Sequence, residues 1–243
     1  MLSDLIRQLL TGTLISSAII SYGQHPAPDT VFLTKARTQM IARYEDDMKP
    51  QSRLYNGTEY QDYFSKNDEH PYFGIDDWSY GDILYDDELY ENVAIFYDIS
   101  RDRVITEHGL NGAKIELITE KVSTFTINNH KFVHLKSPDQ TIDVGFYEVL
   151  SDGKTKVYAR RQKFLQQTAE SNDIIYTFEE KNRLYIFKDG IFHSVRSKKS
   201  VLKVLKDRKQ ALTAYLNKNN MRFKTNREDA ISKMASQYDA ESN

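Results

Sequence analysis

Cysteine is absent from all 243 residues, so the chain has no disulfide framework, no thiolate nucleophile and no zinc site of the usual cysteine type. It also lacks the cysteine that a lipid-modified anchor requires. A strong field of one sign is missing too. Against 35 Asp and Glu stand 33 Lys and Arg, a formal charge of −2 that does not mark a nucleic-acid binder. No apolar run reaches the roughly 20 residues of a comfortable membrane span. Serines occur without a Gly-x-Ser-x-Gly elbow, no glycine-rich phosphate loop is present, and the histidines fall in no zinc-protease or finger pattern. Nothing in these patterns names a reaction, a cofactor or a metal.

What is present is a core and a regular series of turns. Apolar residues make up 40% of the chain, enough for an ordinary core in one sizeable domain. From Gly81 to His193, runs rich in Val, Ile, Phe, Tyr and Thr alternate with Asp86-Asp87, Ser100-Arg101-Asp102, Asn128-Asn129, Ser151-Asp152-Gly153, Glu180-Lys181-Asn182 and Lys188-Asp189-Gly190. That spacing predicts an antiparallel β-meander over about 81–193. Val93, Ile95, Tyr97 and Ile99 alternate, but Leu184-Tyr185-Ile186-Phe187 and Phe146-Tyr147-Glu148-Val149-Leu150 are apolar on both sides, so both faces need cover. The expected fold is α+β: a long meander, strongly curled or barrel-like, with one N-terminal helix and two C-terminal helices packed on it.

In chain order, residues 1–23 read as a secretory signal; because Asp4 and a lone Arg make a weak n-region, the alternative is an uncleaved anchor or a buried helix. Arg7 precedes an apolar stretch, Leu9–Ile20, and Ser21-Tyr22-Gly23 supplies a small-x-small pattern, placing cleavage after Gly23 and the protein in the periplasm or outside the cell. A linker covers 24–33, and a single domain is expected over 34–239, with a frayed tail at 240–243. Thr34–Met48 reads as a helix closed by Pro50, with Ala36, Met40, Ile41, Tyr44 and Met48 on its packing side. Helices over about 197–219 and 227–238 follow the meander. In the first, Ser197 is the expected N-cap, and Val201, Leu202, Leu205, Leu212, Tyr215 and Leu216 fall on one arc. Arg208 falls inside that arc and is expected to reach an acid on the sheet or the helix edge. In the second, Asn226 and Asp229 form a short-acid capping box, and Ala230, Ile231, Met234 and Tyr238 the apolar face.

Leu54-Tyr55-Asn56-Gly57-Thr58-Glu59-Tyr60, followed by His70-Pro71-Tyr72-Phe73, Tyr85-Asp86, Leu89-Tyr90-Glu91-Asn92-Val93 and Tyr97-Asp98, resembles a family of secreted proteins of Bacteroidota-type bacteria with no assigned activity. Gly145-Phe146-Tyr147-Glu148-Val149-Leu150, Lys188-Asp189-Gly190 ahead of a Lys-rich helix, and Gln24 at the mature end extend the likeness over nearly the whole mature chain. The resemblance implies an exported compartment and a fold. It transfers no catalytic residue.

Charge is uneven along the chain: His193–Arg227 carries eleven Lys or Arg and one acid, Asp207, whereas Glu59–Asp98 carries twelve carboxylates and one Lys. Lys199, Lys203 and Lys206 lie opposite the apolar arc, a basic face suited to an anionic surface, an acidic polysaccharide or a partner protein. The plainer reading is a solvated face drawn to the chain's own acidic region. Tyr72, Trp78 and Tyr80 are candidates for an aromatic platform; the plainer reading is that such rings cover one end of the sheet. His130 and His134 have metal-like spacing only on a helix, since four strand residues span roughly 13 Å. Asp76-Asp77 and Asp86-Asp87-Glu88 lack a calcium-loop pattern and read as solvated turns, and Asn56-Gly57-Thr58 reads as a turn before it reads as a glycosylation sequon. The expected role is a non-enzymatic, envelope-associated binding protein. Two rivals are a carrier enclosing an apolar ligand in a curled sheet and a hydrolase of envelope polymers with carboxylates converging near Trp78.

Overall fold

The computed structural model describes residues 32–40, 53–63, 69–109, 111–136, 140–170 and 173–241. The chain divides into two compact units, Met1–Asp47 and Met48–Asn243, so the described part of the helix expected over Thr34–Met48, up to Met40, falls in a different unit from the sheet. Residues 32–40 are helical (α1), and Met40, on the expected packing side, is 72% exposed. The signal segment, most of the linker and the rest of that helix lie outside the described residues.

In the second unit the strands are β1 (Thr58–Glu59), β2 (Ser79–Tyr85), β3 (Glu88–Asp98), β4 (Arg103–Glu107), β5 (Lys114–Glu116), β6 (Val122–Ile127), β7 (His130–Leu135), β8 (Gly145–Asp152), β9 (Lys156–Arg160), β10 (Lys163–Glu170), β11 (Asp173–Glu180), β12 (Arg183–Lys188) and β13 (Ile191–Val195). Eleven of them form one antiparallel sheet in the order β1-β5-β4-β3-β2-β6-β7-β8-β9-β12-β13. It is two meanders that start back to back at β2 and β6. The two-residue turns work as their chemistry requires. Asp86-Asp87, Asn128-Asn129 and Asp189-Gly190 all carry positive φ at both positions, from 49° to 80°, which matches the twist of the flanking strands.

Two expectations about the sheet need correction. The meander is not continuous: β10 and β11 pair only with each other, and β12 returns beside β9, so Glu180-Lys181-Asn182 joins two sheets rather than two neighbours. β12 is apolar on both faces and suits an interior place between β9 and β13, while β10 carries the exposed Gln166-Gln167. Nor is the sheet strongly curled or barrel-like: it stays open, with β1 and β13 as edges that no described ladder joins.

Bending within the open sheet still shapes the core. In a flat sheet β3 and β8, with three strands between them, would stand about 19 Å apart. Yet the rings of Tyr97 and Phe146 lie 5.9 Å apart, and those of Phe125 and Phe132 fill the space beside them. Arg160 holds the bend. Its guanidinium forks onto Asp102 at 2.8 and 2.9 Å and donates to the Phe146 carbonyl at 2.6 Å, tying the β3–β4 turn to β8 and β9. It passes over Gly145, where any Cβ would overlap both charged groups.

Cross-strand pairs define one continuous inner row: Ile83, Phe125, Phe132, Glu148, Ala159, Leu184 and Val195. Directly paired residues share a face. The first part of the row belongs to the aromatic core, and the last part meets α2 (Lys198–Val204), α3 (Lys209–Lys218) and α4 (Arg227–Ala240). The opposite face is covered in separate patches, one around Tyr147, Tyr158 and Tyr185 and another around Tyr72, Phe96 and Ile105.

The helix expected over 197–219 is broken. Ser197 caps it as expected, accepting from the Ser200 amide at 3.2 Å while Ser200 Oγ accepts from the Ser197 amide at 3.0 Å. At Leu205 the backbone leaves helical geometry (φ −98°, ψ 42°), and a 3-10 turn, Lys206–Arg208, leads into α3. Across the break Val201, Leu202, Leu205, Leu212 and Leu216 all reach one core. Arg208 is thereby carried to Glu241 beyond α4, at 3.5 Å, and not to an acid on the sheet. In α4 the buried face includes the four residues expected, but the Asn226 side chain makes no cap bond and Asp229 pairs with Lys233 instead.

Candidate functional site

The turn before α2 and the loop before α4 are both rich in cations, and the fold sets them against each other. Between them lies an open groove of about 1030 Å3, lined by Arg196, Ser197, Lys198 and Lys199 on one side and by the stretch from Phe223 to Asp229 on the other. A second cavity, of about 190 Å3, lies alongside, walled by Asn182, Arg183, Leu184, Ser194 and Val195. Arg196 and Arg227 line both.

Five cations line the groove: Arg196, Lys198, Lys199, Lys224 and Arg227. Four are exposed, and none of the five is in an ion pair among the described residues. The two acids in the lining are engaged elsewhere. Asp229 takes Lys233 at 2.9 Å, and Glu228 takes Arg161 in a two-pronged bond at 2.7 and 2.8 Å. Local pairing of the acids leaves the groove strongly positive. Such an arrangement attracts anions and holds those with planar or tetrahedral oxygen sets best, since guanidinium forks match them.

Glu228 is the end of a chain of charges. Arg161 Nε also donates to Glu148 at 2.6 Å, and Glu148 in turn meets His130 Nδ1 at 2.5 Å. Glu148 is the one charged member of the apolar inner row and is 3% exposed, so it depends on these partners. Burial alone would lower the proton affinity of Arg161, but Glu228 and Glu148 outweigh it and hold the guanidinium above its ordinary value. The chain fastens the start of α4, one wall of the groove, to the sheet.

Of the basic residues singled out in the sequence, Lys199 lines the groove, while Lys203 and Lys206 are exposed outside its lining. Arg196, Lys198, Lys224 and Arg227 were missed as site residues. Their signal was present in the excess of positive charge from His193 to Arg227, but the facing of two separated segments was not.

Tyr72, Trp78 and Tyr80 do not assemble into one platform. Tyr72 is buried and stacked on Phe96 at 4.3 Å, Trp78 is half-buried at 4.3 Å from the same ring, and Tyr80 is 62% exposed on β2. Phe96 points outward from the sheet, and the first two rings cover it. Their surroundings are a polar clasp. Tyr72 donates to Asp62 at 2.7 Å and Tyr60 donates to the buried Asp98 at 2.9 Å, while burial pushes both phenols up.

The histidines serve separate neighbours: His130 meets Glu148, and the ring of His134 lies 5.0 Å from that of Phe146. Among the described residues no three His, Asp or Glu side chains are grouped to hold a metal ion. Asp77 accepts from the Trp78 amide and Asp86-Asp87 forms a hairpin turn. No helix of the described residues is long and apolar enough to cross a membrane.

The open antiparallel sheet with its helical flank defines an α+β protein with a basic groove. No family model matches the chain, and neither the curated proteins nor the solved structures compared with it include a match.

Proposed function

We propose that the chain is a non-enzymatic binding protein of the cell envelope, of the secreted type it resembles, whose basic groove takes a strand of acidic polysaccharide. One observation carries the reading: five cations without ion-pair partners among the described residues line a groove whose own acids are paired away from it. The carrier alternative needs an unfilled apolar interior, and the concave face is instead occupied by interleaved Tyr97, Phe125, Phe132 and Phe146. The hydrolase alternative needs converging carboxylates near Trp78. Asp98, buried on the strand whose Phe96 ring lies against Trp78, is held by Tyr60 and by the amides of Ser100 and Arg101. Export rests on the pattern of residues 1–23.

The test is binding of labelled dextran sulfate, followed by fluorescence anisotropy over a salt series. Binding that weakens steeply with salt, and that falls at least tenfold in Arg196→Glu with Lys224→Glu, supports the groove. Binding unchanged by those reversals would place any anion site elsewhere.

A further inference from the structure

The sheet ends on β13, whose free edge the groove does not use. Asp189-Gly190 closes the β12–β13 hairpin as a tight turn, so Lys188 with Ile191, Ile186 with His193 and Leu184 with Val195 are the hydrogen-bonded pairs of the ladder. The N–H and C=O groups of Phe192 and Ser194 therefore face away from β12. No group among the described residues bonds to them. Long sheet edges are ordinarily blunted by a proline, a lysine or a bulge. Ile191-Phe192-His193-Ser194-Val195 has none of these, and its register with β12 runs without a shift. Ile191 is 47% exposed and Ser194 is exposed, so the edge is open to water.

Charge selects the occupant. β13 runs directly into Arg196, and the smaller cavity at its end is lined by Arg183, Arg196 and Arg227. Arg183 has Asp143 at 3.3 Å, but Arg196 and Arg227 are in no ion pair among the described residues. A second copy pairing β13 to β13 about a twofold axis would set the basic turn Arg196–Lys199 of each copy beside Lys188 of the other, where Asp189 is already taken by Lys188 at 2.5 Å. Like charge disfavours that pairing. We infer that β13 is the docking edge for an extended acidic peptide segment of a partner protein, which adds to the sheet as one more antiparallel strand. Antiparallel addition matches the rest of the sheet. It also places the carboxylates on the N-terminal side of the added strand, where they meet Arg196 and Arg227. Phe192 and Ser194 exchange backbone hydrogen bonds with the peptide. Docking here is independent of the polysaccharide reading.

Fluorescence anisotropy with the labelled peptide Glu-Asp-Glu-Asp-Val-Thr-Val-Thr-Val tests it on the full chain. This peptide should bind at least about tenfold more tightly than the reversed order, Val-Thr-Val-Thr-Val-Asp-Glu-Asp-Glu, and than the same peptide N-methylated along its Val-Thr run, which cannot donate to the edge. Ser194→Pro removes an edge amide that the protein's own ladder does not use, and should weaken binding by about the same factor at an unchanged melting temperature. Should that variant melt early, the N-methylated peptide decides. No binding, or equal binding of all the peptides, would overturn the inference, since equal binding is charge attraction alone. A dimer in sedimentation velocity that Ser194→Pro dissolves would overturn it as well, by giving the edge to a second copy. If dextran sulfate binds and no peptide does, the groove reading stands and the docking edge falls. If the acidic-first peptide binds with the stated preference and dextran sulfate does not bind, the docking edge stands and the polysaccharide falls.

Discussion

Arg161 grips Glu228 through two parallel hydrogen bonds, 2.7 and 2.8 Å long, and so fastens the first turn of α4 to the chain just beyond β9. The same guanidinium is the chief partner of Glu148, a carboxylate set in a row of apolar residues that spans much of the sheet. One arginine thus joins the inner face of the sheet to the wall of the groove.

Removing it should be expensive. Arg161→Leu leaves Glu148 buried with only His130 beside it, and a loss of about 3–5 kcal/mol is expected in urea unfolding. The groove should loosen with it, read as faster amide exchange in the first turn of α4. A loss under about 1 kcal/mol would mean that His130 alone compensates the carboxylate.

Gly145 is required by both space and backbone. Its φ is +147°, and an added Cβ would overlap the Asp102 carboxylate and the Arg160 guanidinium. Gly145→Ala should cost about 3 kcal/mol or more, since it adds backbone strain and pries apart a buried ion pair. A neutral effect on the melting temperature would show that the Arg160–Asp102 contact can move aside.

Asp98 gives a pH signature. Its carboxyl is held above the ordinary value, first because burial disfavours the charge, with the Arg101 amide and the Tyr60 hydroxyl pulling the other way. The folded state therefore binds this proton more tightly than the unfolded state. The resulting stability is fully present below the unfolded pKa of about 3.9 and is lost as pH rises through the folded value. Asp98→Asn keeps the shape and removes the titration. The unfolding free energy of the native chain minus that of Asp98→Asn should decline from about pH 4 upward and then level off. A flat difference would show that Asp98 titrates alike in both states.

The broken helix makes a packing prediction. Leu205 and Leu212 flank the 3-10 turn, and both are fully buried in the core beneath the helices. Leu205→Ala or Leu212→Ala should each cost about 2–5 kcal/mol by equilibrium unfolding. A change of only a few tenths would mean that α2 and α3 are not docked on the sheet.

Much of this fold was legible in the residues. Asp86-Asp87, Asn128-Asn129 and Asp189-Gly190 read as turns because these residues tolerate positive φ, and Ser197 read as a cap because its hydroxyl can take an orphan amide. Leu184-Tyr185-Ile186-Phe187, apolar on both sides, called for cover on both faces, and it lies between β9 and β13. The detour of β10 and β11 was not legible, because a turn such as Glu180-Lys181-Asn182 looks the same whether it joins neighbours or sheets. Nor was the break at Leu205 legible, since a single regular helix places the same leucines on one arc.

The amino-acid pattern alone determined the turns, the strand alternation, the apolar faces of the helices and, through the lack of cysteine, the kinds of chemistry excluded. Those properties are local, set by each residue's own backbone preferences and polarity. Tertiary structure decided the rest. Only packing over long sequence separation brings Arg161 to both Glu148 and Glu228, sets Arg196 beside Arg227, and so turns a run of basic residues into a groove. That outcome depends on which acids the fold pairs away from the surface, and a charge count along the chain does not contain it.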